Sequence, residues 1–280
     1  MTPLMILAIY GHTRIAENFI KKGADVNLKN NDNCTALMFA AQQGYIETVA
    51  LLIRYKANIN EENIFGFTPL TYAILQGHVG IITYLIDHGA DVNLPSGSLN
   101  ITPLMYAAHQ GLIQIATLLI KHGANINAQS SHKITSLMYA IFKDHAETTE
   151  YLITARADVN MKDFYGQTAL TFCMTGGKKD FNHIIKLLIS KGADFDISNS
   201  IHADALFQAF KRFIREIQEL PYKLNILTVL LDFIRPDETN NFVVKTFTSG
   251  KRSFLFQQKI DGKIDESIII EDLSALEATF

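Results

Sequence analysis

The chain has 280 residues, of which 48% are hydrophobic and 19% charged, so it can bury a sizeable core and is not disordered as a whole. Its formal net charge is −3, and no segment carries the basic excess that binds a nucleic-acid backbone. The two cysteines, Cys34 and Cys173, form neither a disulfide framework nor a zinc site, which fits a reducing compartment. We find no signal peptide and no run of about 18 apolar residues, and therefore expect a cytoplasmic protein that does not span a membrane.

A tripeptide that begins with threonine recurs through the first two thirds of the chain, at steps of 33, 33, 34, 33 and 33 residues. Its copies are Thr2-Pro3-Leu4, Thr35-Ala36-Leu37, Thr68-Pro69-Leu70, Thr102-Pro103-Leu104, Thr135-Ser136-Leu137 and Thr168-Ala169-Leu170. Threonine is a favourable helix N-cap, and proline at the next position suits the first turn. The first four copies are each followed by a glycine that can end this helix in a left-handed conformation, namely Gly11, Gly44, Gly77 and Gly111.

A second landmark, Gly23-Ala24-Asp25-Val26-Asn27, returns with small changes in every unit and ends a segment with helical apolar spacing. Its Asp and Asn residues favour a loop or hairpin. With this period, the Thr-Pro-Leu start and the Gly-Ala-Asp-Val-Asn end, the chain resembles the ankyrin-repeat proteins. The resemblance implies an all-α ankyrin-repeat solenoid with six repeats over residues 1–200, which start near residues 2, 35, 68, 102, 135 and 168.

Several positions depart from the family pattern. The family usually has a histidine directly after Thr-Pro-Leu, and this chain has other residues there. The hydrogen bonds that this histidine makes between repeats must therefore be replaced or missing. The residues present are Met5, Met38, Thr71, Met105, Met138 and Thr171. Repeat five has Asp144 and Arg156 where glycines are expected. Residues 201–236 are interpreted as a degenerate capping repeat. Residues 237–280 form a small C-terminal element, or the start of a truncated domain, in which Asp261-Gly262 predicts a β-hairpin.

An aromatic residue follows the threonine by four positions in repeats two to six, and the resemblance places this position in the concave groove. We predict an apolar groove that holds a partner peptide or helix, because aromatic side chains dominate binding hot spots. The alternative is that duplication copied a half-buried packing residue. Together with bulky residues at the loop tips and helix ends, the predicted partner-binding residues are Phe39, Ile64, Phe65, Phe67, Tyr72, Leu75, Tyr106, His109, Tyr139, Phe142, Phe164, Tyr165 and Phe172.

The sequence contains no catalytic constellation and no metal-ligand spacing, so we expect neither enzymatic activity nor a cofactor. Cys34 lies in a predicted loop, where a reactive thiol is conceivable, whereas Cys173 replaces an alanine of the predicted core. The resemblance also implies that a host asparaginyl hydroxylase can modify the Asn of each Val-Asn step; the alternative is that these residues only form turns. The positions are Asn27, Asn60, Asn93, Asn127 and Asn160.

The resemblance implies a protein-interaction module and names no partner. The Ile-, Asn- and Lys-rich repeats are similar to ankyrin-bearing effectors that intracellular bacteria deliver into host cells. An alternative is the regulatory or targeting part of an enzyme whose catalytic domain lies outside this chain. Residues 1–10 are strongly apolar although terminal repeats normally need a polar outer face. This predicts either self-association through the N-terminal repeat or missing upstream sequence.

Overall fold

The computed structural model describes residues 1–176 and 182–194, together with strands at residues 245–246, 254–260 and 263–270. The chain divides into two compact units, Met1–Phe164 and Tyr165–Phe280. In the first unit, each predicted repeat is a pair of short helices followed by a loop, which confirms the helical repeat fold.

The helices of the first unit stack in two rows. They are α1 Pro3–Ile9, α2 Thr13–Lys21, α3 Ala36–Gln43, α4 Ile46–Arg54, α5 Pro69–Leu75, α6 Val79–Asp87, α7 Pro103–Gln110, α8 Ile113–Lys121, α9 Ser136–Phe142 and α10 Ala146–Thr154. The odd-numbered first helices pack on one another in chain order, and the even-numbered second helices do the same. Each repeat therefore buries its apolar side against the next one.

Threonine caps the first helix of all five repeats in this unit, as the sequence predicts. In each case its Oγ1 accepts a hydrogen bond from the backbone N–H three residues later. The mid-repeat glycines adopt the left-handed conformation, with φ between 67° and 87°. Asp144 and Arg156 adopt it too, with φ of 59° and 68°. Repeat five therefore carries the strain of two Cβ-bearing residues in this region.

The histidine missing after Thr-Pro-Leu is replaced in two ways. In repeats one and four, the sulfur of Met5 or Met105 accepts a hydrogen bond from the N–H of the capping threonine, at 3.3 and 3.5 Å. These bonds stay within one repeat. The hydroxyl of Thr71 instead bonds the hydroxyl of Ser96 at 2.9 Å, in the loop that leads to repeat four. Thr71 thus restores a link between repeats.

The mid-repeat glycines also make room for a ring from the following repeat. A methyl group on Gly11 would lie 2.6 Å from the ring of Tyr45, and one on Gly111 would lie 2.5 Å from the ring of His145. A methyl group on Gly77 would meet nothing within 4 Å. The residue in the ring position there is Leu112, the N-cap of α8. At Gly11 and Gly111, glycine is therefore favoured both by the left-handed backbone and by the nearby ring. At Gly77 only the backbone conformation favours it.

Small side chains allow the first helices to approach closely. The alanines at one shared offset are fully buried, namely Ala40, Ala73, Ala107 and Ala140. Leu7 takes this position in repeat one and is half-buried. In the second unit the position belongs to Cys173, which is 2% exposed, and burial raises the pKa of its thiol. The prediction that Cys173 is a small core residue is confirmed.

The N-terminal repeat exposes large apolar side chains, namely those of Ile6, Tyr10, Ile15 and Phe19, at between 42% and 64%. This agrees with the apolar character of the first residues in the sequence. Self-association through this repeat stays a prediction.

The second unit contains α11 Ala169–Gly176 and α12 Asn182–Ser190, which pack on each other. It also contains an antiparallel sheet of strands β1 Lys245–Thr246, β2 Phe254–Ile260 and β3 Lys263–Ile270, in the order β1-β2-β3. Ile260 pairs with Lys263, so β2 and β3 flank the residues where the sequence predicts the hairpin turn. Strand β1 was not predicted. The degenerate repeat at 201–236 and the rest of the C-terminal element lie outside the described residues.

Candidate functional site

Four predicted binding residues occupy one equivalent position on successive first helices. Phe39, Tyr72, Tyr106 and Tyr139 lie on α3, α5, α7 and α9, and all four rings are half-buried. We call this row the aromatic face. In the second unit, Phe172 is half-buried at the same position of α11. In repeat one the position holds Ile6, which is 45% exposed.

The rings of the aromatic face are joined by side chains from elsewhere in the repeats. The ring of Phe67 lies edge-on to both Tyr72 and Tyr106, with centroid distances of 5.6 and 6.3 Å. The ring of His109 lies edge-on to Tyr139 at 5.9 Å. Edge-to-face contacts of this kind stabilise aromatic pairs beyond simple burial. Each of the three tyrosine rings therefore makes a packing contact and stays partly exposed to solvent.

The tyrosine hydroxyls of this face stay protonated over the ordinary pH range. Burial, together with the neighbouring Cys34 thiol, raises the pKa of Tyr72 to about 12. Burial is also the main cause that raises the pKa of Tyr106 and of Tyr139. The face therefore offers rings and neutral hydroxyl groups rather than charge.

Cys34 does not have the environment of a reactive thiol. Its side chain is 7% exposed, and its sulfur accepts a weak hydrogen bond from Nδ2 of Asn63 at 3.6 Å. The same Nδ2 donates to the hydroxyl of Tyr72 at 2.9 Å. The loop position of Cys34 therefore does not expose its thiol, because a side chain of the next repeat covers it.

The loops between repeats are closed by one recurring polar side chain. We number them loop 1 (residues 28–34), loop 2 (61–67), loop 3 (94–101) and loop 4 (128–134). In loop 2, Oδ1 of Asn63 accepts from the backbone N–H of Phe65 and of Phe67, both at 2.9 Å. Asn30 and Ser130 accept from backbone N–H groups in the same way in loops 1 and 4. These contacts fix the loops locally, independently of the helices.

Loop 3 is one residue longer than its neighbours and closes differently. Ser96 and Ile101 exchange two backbone hydrogen bonds of 2.8 and 2.9 Å. Gly97 and Asn100 both have positive φ, at 69° and 52°, whereas loops 1, 2 and 4 each have one such residue. The insertion is the cause of the single 34-residue step in the sequence period.

An open pocket of about 890 Å³ lies between loops 2 and 3. Most of its lining is apolar and includes Phe65, Phe67, Leu99, Ile101 and Tyr106. Ile64, Phe65, Phe67 and Tyr106 were predicted from the sequence, whereas Glu62, Gly66 and the loop 3 residues were not, among them Leu94, Pro95, Leu99 and Ile101. The extra residue in the third period marks loop 3 as different from its neighbours but does not identify these residues.

The remaining predicted residues lie at the loop tips and helix ends. Ile64, Phe65 and Phe164 are between 55% and 69% exposed, and Tyr165, in the second unit, is 75% exposed. Leu75 is half-buried at the end of α5, and His109 is exposed near the end of α7. Phe142 is 59% exposed at the end of α9, with Nζ of Lys143 5.5 Å from its ring centroid. All of these are accessible in part.

The asparagines proposed for hydroxylation tie each repeat to the next one. Nδ2 of Asn93 donates to the carbonyl of Gly123 at 3.0 Å, and its Oδ1 accepts from the N–H of Asn125 at 2.7 Å. Asn27 and Asn60 make the same pair of bonds. Oδ1 of Asn127 accepts from the N–H of Asp158. These side chains therefore have a structural role, and hydroxylation at these four residues and Asn160 stays a prediction.

Among the residues that the structure describes, no group of three or more His, Cys, Asp or Glu residues is placed to hold a metal ion. Within the same residues, every helix is too short or too polar to cross a membrane.

Comparison with known proteins agrees with this architecture. The family model for ankyrin repeats matches the chain three times, over residues 4–96, 95–163 and 137–232. No curated protein matches the chain. Among solved structures, the human ASB11 ankyrin repeat domain is similar, with a TM-score of 0.62 and 22% identity, over 71% of this chain and 88% of that one. At this identity the likeness concerns the fold.

Proposed function

Because the chain belongs to the ankyrin-repeat family, we propose that it binds another protein, whose peptide or helix lies across the aromatic face. Ankyrin repeats are in general protein–protein interaction modules and are typically non-catalytic. The observation that supports the site is the row of Phe39, Tyr72, Tyr106 and Tyr139, each half-buried at the same helical position. Rings that are already fixed on one side lose little conformational freedom when a partner covers the other side.

The competing explanation is that these rings only complete the packing of the repeats. Half-burial does not decide between the two explanations, since Tyr84 on α6 is half-buried as well; the surroundings of the aromatic face favour binding. The aromatic face is flanked by the exposed side chains of Ile64, Phe65 and Phe142. Exposed apolar side chains beside half-buried rings are typical of an interaction site.

The test compares partner capture by the wild-type chain and by the triple variant Tyr72→Ala, Tyr106→Ala, Tyr139→Ala. Tyr84→Ala is the matched control, because Tyr84 is also a half-buried tyrosine but lies on the second helix α6. We expect the triple variant to lose the proteins that wild type retains, and the control to keep them. For an identified partner, the affinity of the triple variant should fall at least about tenfold. Unchanged capture by a folded triple variant would refute the site.

Delivery into a host cell is a further hypothesis that rests on the sequence resemblance to bacterial effectors. A translocation reporter fused to the chain tests it, since delivery predicts signal inside the host cell.

A further inference from the structure

The pocket exists because loops 2 and 3 are joined less tightly than their neighbours. The N–H of Ile64 donates to Asp32 in loop 1 at 3.0 Å, and the N–H of Ser131 donates to Leu99 in loop 3 at 2.8 Å. No hydrogen bond joins loop 2 to loop 3, although both loops are fully described. Their backbones approach at Gly66 and Gly97, where a methyl group on Gly66 would lie 3.0 Å from the Gly97 nitrogen. The longer loop 3 thus leaves an opening beside the aromatic face.

The lining of this opening selects an apolar group. Leu99 and Phe65 are 43% and 59% exposed, and Tyr106 contributes the ring that also contacts Phe67. Glu62 is the one charged residue in the lining. Covering Leu99 and Phe65 with an aliphatic or aromatic side chain removes apolar surface of both molecules from water, which favours binding.

Charge is distributed unevenly along the loops on either side of the pocket. Asp32 in loop 1 and Glu62 in loop 2 are exposed and form no ion pair, since Glu61 is the residue that pairs with Lys29. Loop 3 has no charged residue. Lys133 in loop 4 is exposed and forms no ion pair. The unpaired charge on these loops therefore changes from negative in loops 1 and 2 to positive in loop 4. All of these loops belong to the first unit.

Resting on the proposed function, we infer that the pocket binds one bulky apolar side chain of an extended partner segment that also carries charges of opposite sign on its two flanks. Its basic residues lie toward Asp32 and Glu62, and its acidic residues lie toward Lys133. Charge complementarity of this kind fixes the direction in which a segment binds. Since neighbouring helices pack about 10 Å apart and an extended chain rises about 3.3 Å per residue, roughly ten residues span loops 1 to 4.

The experiment selects a random peptide display library on the immobilised wild-type chain. We expect enriched peptides to share a Leu, Ile, Phe or Met with Lys or Arg on one side and Asp or Glu on the other. One enriched peptide, synthesised with a fluorescein label, is then titrated against variants by fluorescence anisotropy. Leu99→Asp should weaken its binding at least about tenfold. Val79→Asp is the matched control, because Val79 is an apolar residue that is 41% exposed, lies at the start of the second helix α6 and is outside both the pocket lining and loops 1 to 4.

Charge reversal separates the two parts of the inference. The double variant Glu62→Lys, Lys133→Glu should enrich peptides with the opposite order of charges around the same apolar residue. Enrichment of the same order as on wild type would overturn the charge assignment. Peptides that bind Leu99→Asp as well as wild type, but are lost with the Tyr72, Tyr106 and Tyr139 triple variant, would overturn the pocket while leaving the proposed function intact. Failure to enrich any peptide would also overturn the pocket, and partner capture would then decide the proposed function alone.

Discussion

Replacing Gly111 by alanine should destabilise the protein clearly more than replacing Gly77, although both glycines have the same backbone conformation. Their φ angles are 71° and 72°. The difference lies in the next repeat. A methyl group on Gly111 would lie 2.5 Å from Nδ1 of His145, whereas one on Gly77 would have open space. The pair thus separates backbone strain from steric overlap.

The expected magnitudes follow from these contacts. A Cβ-bearing residue in the left-handed region costs about 1 kcal/mol, and this term is common to both substitutions. In Gly111→Ala the His145 ring must also move. That movement breaks the 3.0 Å hydrogen bond between its Nε2 and the carbonyl of His109, which adds about 1 kcal/mol. We expect about 1 kcal/mol for Gly77→Ala and about 2 kcal/mol or more for Gly111→Ala.

Equilibrium urea unfolding followed by circular dichroism measures both free energies. The decisive control repeats Gly111→Ala in a His145→Ala background, where only the common term of about 1 kcal/mol should remain. Equal costs for the two glycines, or an unchanged cost without the ring, would show that ring packing against the glycine is not what makes Gly111 necessary.

Four further predictions concern individual residues and repeats. Asp144→Gly should stabilise the protein by about 1 kcal/mol in urea unfolding, because it relieves left-handed strain and removes an Oδ1 that is buried without a hydrogen-bond partner in the described chain. Ser96→Ala should cost about 1 kcal/mol through loss of the Thr71 bond, and no change would contradict that link. Amides of residues 135–160 should exchange faster than those of repeats three and four, and uniform protection would contradict this. Partial burial of its ring, together with Lys143 and His145, lowers the pKa of His109 from its ordinary value of about 6.5, so its contribution to stability is complete above that pH and is lost as pH falls. His109→Gln should therefore lose less stability than wild type between neutral pH and about pH 5.

The repeat fold could be predicted because its determinants are local. Threonine caps and left-handed residues act within a few positions of themselves, so Thr102 and Gly111 mark the ends of α7 in both sequence and structure. Asp144 and Arg156 replace glycines of the repeat pattern, and their positions could still be predicted because the left-handed backbone is retained there.

The details of the site could not be predicted in the same way, because they depend on side chains from neighbouring repeats. Nothing in the loop 1 sequence indicates that Asn63 covers Cys34. The position of Phe67 between two tyrosines depends on the stacking of repeats three and four. The pocket follows from one inserted residue, which changes the period by one and gives no hint of which side chains then line the opening.

The asparagine bonds between repeats have a consequence for how such a chain can evolve. The groups that Asn27, Asn60 and Asn93 contact in the following repeat are all backbone N–H and C=O groups. Every repeat offers these groups whatever its side chains are. A gene duplication or deletion of one whole repeat would therefore join two repeats that had never been adjacent and still find both hydrogen bonds in place. These hydrogen bonds between repeats do not depend on the side chains of the following repeat. The residues of the binding surface are therefore free to diverge.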